Sequence, residues 1–205
     1  MIKQILFDFD GVIIDSMPIK TEAFRKILQG FDPVSVDKLL DYHNLNGGLS
    51  RYVKLHYFFQ ELLSTPVTEE EIYRYANQFS KIVKEELSNK SHLISEVVQF
   101  LKENQSNYSF HIVSGADETE LKYLCEKLEI SQYFQSIHGS PTHKNELVKQ
   151  VLAENHYEKS ETILIGDSIN DYEAAEVNEI GFYAYNNPSL KPISKNYLES
   201  IKDLA

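Results

Sequence analysis

The sequence predicts an α/β fold in which a doubly wound parallel sheet is interrupted, just after its first strand, by an all-helical insertion. Three observations predict it. The segment KQILFDF at 3–9 is a short apolar run ending in acids and Gly11, the pattern of a buried strand that feeds a loop. From Met17 to about Ser88, apolar residues recur at three- and four-residue intervals in EAFRKILQ, SRYVKLHYFFQELL and EEEIYRYANQFSKIVKEEL, which is the period of amphipathic helices. Beyond Asn89, strand-like and helix-like segments alternate, and such alternation builds a parallel, Rossmann-like sheet.

Within the insertion, Thr68 before Glu69-Glu70-Glu71 marks the start of a long helix, with the acids where the helix dipole favours negative charge. After it the pattern predicts a helix near Ile94–Glu103, a strand YSFHIV at 108–113 and a helix near Glu118–Lys127. A strand near Tyr133–His138, a helix near Asn145–Glu154 and a strand ETILIG at 161–166 follow. A helix near Tyr172–Val177 and a strand near Gly181–Tyr185 close the sheet. Asn187-Pro188 and Lys191-Pro192 mark a looser tail. The expected division is a core of residues 1–15 and 89–205 with a helical insertion at 16–88.

Composition narrows the function. The 205 residues carry 31 Asp and Glu against 20 Lys and Arg, a formal charge of −11, and three of the cations are Arg. Phosphate neutralisation by nucleic-acid binders and a basic membrane-facing surface both need the opposite balance, so neither partner is expected. Cys125 has no second cysteine to pair with. The Met1-Ile2-Lys3 start lacks a secretion-signal pattern, and no apolar run approaches the roughly 20 residues that span a bilayer, so a cytoplasmic location is expected.

In open parallel sheets the ligand crevice lies outside the carboxyl ends of the strands. Asp8 and Asp10 stand there two residues apart, so the strand period puts both carboxylates on one face. Asp167 and Asp171 in GDSIND, at the end of ETILIG, bring two more acids to the same crevice. Carboxylates so crowded are costly unless a cation binds between them or one of them keeps its proton. Oxygen donors without a nearby cysteine or histidine pair suit a hard ion such as Mg2+. Ser114 and Gly115 close YSFHIV and offer a hydroxyl and backbone N–H groups to an anion, while Lys144 can lend a positive charge.

The four stations in this order, DFDGVIIDS, IVSGA, Lys144 and GDSIND, resemble the four motifs of the haloacid dehalogenase superfamily across the whole chain. The insertion resembles that family's first-type helical cap, and the chain is most similar to the phosphatase and β-phosphoglucomutase branch. Many relatives place a proline after the motif-three lysine, whereas here Asn145 follows Lys144. The resemblance implies that Asp8 is a nucleophile forming an aspartyl-phosphate and that Asp10 is the acid and base. It further implies Mg2+ held by Asp8, Asp167 and the Asp10 carbonyl with Asp171 nearby, and a phosphoryl group held by Ser114, Gly115 and Lys144. A halide leaves without a proton while an alkoxide needs one, so an acid at Asp10 favours phosphate-ester chemistry over dehalogenation.

Asn46-Gly47-Gly48-Leu49-Ser50-Arg51 resembles the family's specificity loop, where Arg51 would clamp a phosphate or carboxylate. Lys20 stands near where mutase relatives carry a histidine, which places phosphatase above mutase. Tyr52, Tyr57, Phe58 and Phe59 are expected to pack within the insertion. The function expected is Mg2+-dependent hydrolysis of a small phosphorylated metabolite, such as a sugar or polyol phosphate. A sugar-phosphate mutase is the alternative, ahead of a phosphoaccepting signalling module or a silent binding module.

Overall fold

A computed structural model describes residues 1–204. Six parallel strands form one sheet in the order β3-β2-β1-β4-β5-β6. They are β1 (Gln4–Phe7), β2 (Ser109–Asp117), β3 (Ser136–Ser140), β4 (Thr162–Gly166), β5 (Gly181–Tyr185) and β6 (Tyr197–Leu198). The order reverses between β1 and β4, the switch point where α/β sheets open a crevice.

Both faces of the sheet are covered. Ile5 and Phe7 point to one side, packed with Phe110, Phe100 and Leu121, and Leu6 points to the other, against Val148, Val151 and Leu164. This period-two split places α5 (Ser95–Asn104) and α6 (Glu118–Lys127) on the first face and α7 (Lys144–Asn155) and α8 (Ile169–Asn178) on the second. The expected doubly wound sheet is present.

Four helices lie between β1 and α5: α1 (Met17–Ile27), α2 (Pro33–Leu45), α3 (Arg51–Tyr57), which continues as a π turn at Phe58–Leu62, and α4 (Glu69–Leu87). Thr68 and Glu71 cap α4 reciprocally, the predicted helix start. Phe24, Phe58 and Phe79 bury the centre of this block. The chain enters it beside the point where it leaves: Asp15 N–H donates to the His92 carbonyl at 2.8 Å and Ile94 N–H to the Ile13 carbonyl at 2.9 Å. The insertion therefore hangs on two adjacent strands of backbone.

Several boundaries differ from the sequence pattern. Ser131–Tyr133 is a 3-10 turn, so the third strand starts at Ser136 rather than near Tyr133. The second strand runs on to Asp117, and its pairing with β3 is broken between Val113 and Asp117, which puts Ser114 and Gly115 inside an irregular strand end. The helix expected near Tyr172 begins at Ile169, because Ser168 and Asp171 close its first turn. The tail adds β6, a two-residue strand too short to show in the hydrophobic pattern. Among the described residues no helix is long and apolar enough to cross a membrane.

Candidate active site

β1 ends at Phe7 and delivers Asp8 into the crevice at the switch point. Asp8 N–H donates to the Ile165 carbonyl of β4 at 2.9 Å, and its own Oδ1 accepts from Phe9 N–H at 2.7 Å. Asp167 follows β4 directly. Gly11 has φ +75°, and a β-carbon there would overlap the Asp167 carboxylate, so glycine is what lets the loop after β1 lie against Asp167. Asp171 sits in the first turn of α8, accepting from Ser168 N–H at 3.0 Å and Ser168 Oγ–H at 2.6 Å, where the helix dipole favours a carboxylate. One carboxylate oxygen from each of Asp8, Asp167 and Asp171 lies within 4.8 Å of the others.

A single buried cation faces this group. Lys144, at the start of α7, donates to Asp8 at 3.1 Å and to Asp171. Fully ionised, three carboxylates and one ammonium would leave two negative charges. Burial, reinforced by Asp171 and only partly offset by Lys144, pushes the Asp8 carboxyl up to about 7. Burial and the Asp8 charge raise Asp167 well above the usual carboxylate range. Burial works against the Lys144 ammonium, but Asp171 and Asp8 outweigh it and hold its pKa above the usual value. A divalent cation would relieve this crowding, and the all-oxygen donor set fits a hard one.

Asp10 has different neighbours. Its Oδ1 accepts from Ser16 Oγ–H and its Oδ2 from the Lys20 ammonium, both at 2.5 Å. Burial alone would raise this carboxyl, yet the Lys20 charge and hydrogen bond, with the Ser16 hydroxyl and the Lys54 charge, together outweigh burial and hold it below the usual range. The sequence brings four acids to one crevice; the structure gathers the side chains of three and turns the fourth toward the inserted helices. Two carboxylates two residues apart thus have pKa values driven in opposite directions, the pattern that separates acid–base roles.

The loop 46–49 lies across the crevice. A β-carbon on Gly115 would overlap the Gly48 carbonyl, and one on Gly48 would meet Ser168 Oγ at 2.5 Å and Asn170 Cβ at 2.9 Å. Glycine at 48 and 115 lets backbone touch backbone there. Ser114, 1% exposed, turns its hydroxyl to the Ala116 N–H, accepting at 3.2 Å.

Arg51 is placed differently from the expectation. Its guanidinium forms a bidentate pair with Glu120 of α6, at 2.7 and 2.5 Å, contacts Ser80 and stacks on Phe79 with 4.7 Å to the ring centroid. Both partners are buried, so the fork that would clamp an anion is already filled by a carboxylate. Tyr52 also reaches across, its hydroxyl donating to Asp117 at 2.9 Å, whereas Tyr57 stacks on Tyr42 and Phe58 and Phe59 pack on Phe31.

Sequence reasoning missed several contributors. Asn186 and Asn187, in the segment read as a loose tail, donate from their amides to the Gly11 carbonyl at 2.9 Å and the Asp167 carbonyl at 2.7 Å, bracing both acidic loops. Their only local signal was an Asn-Pro turn. Lys20 was noticed as a departure from a histidine, not as the partner of Asp10, and Lys54 and His43 carried no signal beyond helical spacing.

Comparisons with known proteins place these features. The model of the family described as haloacid dehalogenase-like hydrolase matches residues 5–185. A phosphoglycolate phosphatase of Vibrio parahaemolyticus is 27% identical over 183 residues, covering 85% of this chain and 79% of the relative. Another, of Photobacterium profundum, is 29% identical over 198 residues, covering 90% and 85%. A solved β-phosphoglucomutase of Clostridium difficile superposes with a TM-score of 0.81 at 19% identity, covering 100% of this chain and 94% of that one, a likeness of fold.

Proposed function

The chain belongs to the haloacid dehalogenase-like hydrolases, and from that premise we propose that it is a Mg2+-dependent phosphatase hydrolysing a small phosphomonoester through Asp8. The observation that carries the reading is the placement of Asp8: pinned at the switch point, beside two further carboxylates and Lys144, with Asp10 two residues on and held by Lys20. The phosphoglycolate phosphatases among its relatives support ester hydrolysis over phosphoryl shuffling.

In this reading Asp8 attacks phosphorus through a carboxylate oxygen, and the bond from phosphorus to the ester oxygen breaks. That oxygen leaves with the electron pair and takes the proton that Asp10 delivers, which the attacking water later restores to Asp10. Water then attacks the phosphoryl group on Asp8 while Asp10 accepts the water's proton, and Asp8 is released. Ser114, the Gly115 N–H and Lys144 hold phosphoryl oxygens. Asp8, Asp167 and the Asp10 carbonyl, with Asp171 alongside, would hold Mg2+. The ion supplies charge neutralisation between nucleophile and phosphate. Residues 16–88 act as a cap whose loop 46–49 excludes bulk water from the crevice.

The test is phosphate release from a panel of phosphomonoesters with Mg2+. The reading expects turnover that stops in excess chelator and in Asp8→Asn. Unchanged turnover in either condition contradicts it, and an isomeric sugar phosphate in place of free phosphate would mark a mutase.

A further inference from the structure

Lys54 is a buried cation without a counter-ion. Lys20, Arg51, Lys54 and Lys144 are the Lys and Arg side chains buried among the described residues. Asp10 pairs with Lys20, Glu120 with Arg51, and Asp8 and Asp171 with Lys144. Lys54, 2% exposed on α3, meets only neutral groups: His43 Nδ1 at 2.9 Å and the Gly47 carbonyl at 3.3 Å. Burial and the nearby Lys20 charge, only partly offset by the Asp10 charge beyond hydrogen-bond reach, bring its pKa down to about 7. A buried ammonium in that state gains from any carboxylate that reaches it.

His43 makes the second, independent observation. With an ammonium donor at Nδ1, its own proton sits on Nε2. That N–H is buried and has no partner among the described residues. An orphaned donor of this kind is costly unless something accepts from it.

His43 and Lys54 line one cavity, shared with Asp10, Phe24, Leu49 and Phe79, between the cap and the core. Its volume is about 20 Å3, space for one or two water-sized groups and far too little for a hexose ring. Asp10 pairs directly with Lys20, and Arg51 with Glu120, so Lys54 is the charged group of the cavity wall that has no direct ion-pair partner.

We propose that Lys54 and His43 Nε2–H form a subsite for a carboxylate on the leaving group, so that the enzyme selects small phosphorylated carboxylates over neutral or bulky phosphate esters. The inference rests on the phosphatase reading, because Asp10, which meets the leaving oxygen there, borders the same cavity. A carboxylate one or two bonds beyond that oxygen supplies the anion Lys54 lacks and the acceptor His43 lacks, in charge-assisted hydrogen bonds. A site built around such a pair rejects an analogue that leaves both groups unpaired.

The experiment compares phosphoglycolate with ethyl phosphate, which keeps the phosphate and two carbons but lacks the carboxylate. The wild type is expected to favour phosphoglycolate at least tenfold in kcat/KM, and Lys54→Met to lose that preference mainly through KM. As a reading that needs no variant, glycolate should inhibit the wild type competitively where ethylene glycol does not. Equal efficiency on the two esters, equal inhibition by the two alcohols, or a folded Lys54→Met that keeps the preference overturns the subsite while leaving the phosphatase reading intact. Phosphate release from other esters of the panel but from neither of these two overturns the subsite alone, and absence of release from every ester overturns the phosphatase reading and the subsite with it.

Discussion

The ammonium of Lys20 lies 2.5 Å from Asp10 Oδ2, and this pair joins the first helix of the insertion to the loop that also carries Asp8. Both side chains are about a tenth exposed or less. The Asp10 carboxylate is thus paired with a residue contributed by the inserted helices, so in the proposed mechanism those helices help to set the protonation of the acid–base group.

Replacing Lys20 tests that coupling. Lys20→Met removes the main charge that opposes burial at Asp10, so the Asp10 carboxyl rises. In the proposed mechanism water activation needs Asp10 ionised, so the acid limb of the kcat profile should move to higher pH, and kcat should fall by less than the about 10²–10⁴-fold expected for Asp10→Asn. A pH–rate profile of the variant checks the direction, and an unmoved limb would mean Asp10 does not act as the base.

Arg51 and Glu120 hold the insertion to α6 as a buried bidentate pair. Arg51→Met leaves Glu120, 1% exposed, without its partner, which should cost about 3–5 kcal/mol in urea unfolding. Arg51→Met with Glu120→Leu removes both charges and should recover most of that loss. A single variant as stable as the wild type would show that the pair contributes nothing.

His43 makes stability depend on pH. Burial, with Lys54 and Lys20 adding to it, pushes its imidazole down to about 2, against 6.5 in an unfolded chain. Between those values the unfolded chain binds a proton that the folded chain refuses, so this stabilisation is full above pH 6.5 and is lost as pH falls below it. At pH 5 the loss is about 2 kcal/mol, or about 4–8 °C in Tm for a chain of this size. His43→Gln should flatten this part of the acid limb in thermal melts from pH 7 to pH 5, and an identical slope in variant and wild type would contradict it.

Cys125 is fully buried in α6, and burial pushes its thiol up to about 12. A thiol so protonated and shielded is a weak nucleophile. A thiol-specific reagent should label the native protein slowly and the urea-unfolded protein at the rate of a free cysteine; fast native labelling would show that α6 opens.

Much of the candidate site's layout is legible in the sequence because it is local. Strand ends at Asp8 and Asp167 follow from apolar runs that stop in acids, and the Thr68–Glu71 cap is written in four consecutive residues. What the sequence hid depends on distant partners. Arg51 and Glu120 are 69 positions apart, so an arginine beside a glycine loop looked free for an anion when a carboxylate from α6 already filled it. Lys54 showed only as one polar position in an amphipathic helix, because its missing counter-ion is a property of the packed cavity. The tail looked loose because Asn186 and Asn187 bond to Gly11 and Asp167 through side chains, leaving no hydrophobic period to read.

The central claim is that phosphorus is transferred to Asp8, and it is tested most directly by acid-quenching the protein during turnover of a phosphomonoester with Mg2+ and sequencing the peptides by mass spectrometry. The account predicts one added phosphoryl group on the peptide bearing Asp8, absent in Asp8→Asn and absent when Mg2+ is chelated. Turnover that proceeds with no phosphoryl group on that peptide, or with full activity in Asp8→Asn, would contradict it.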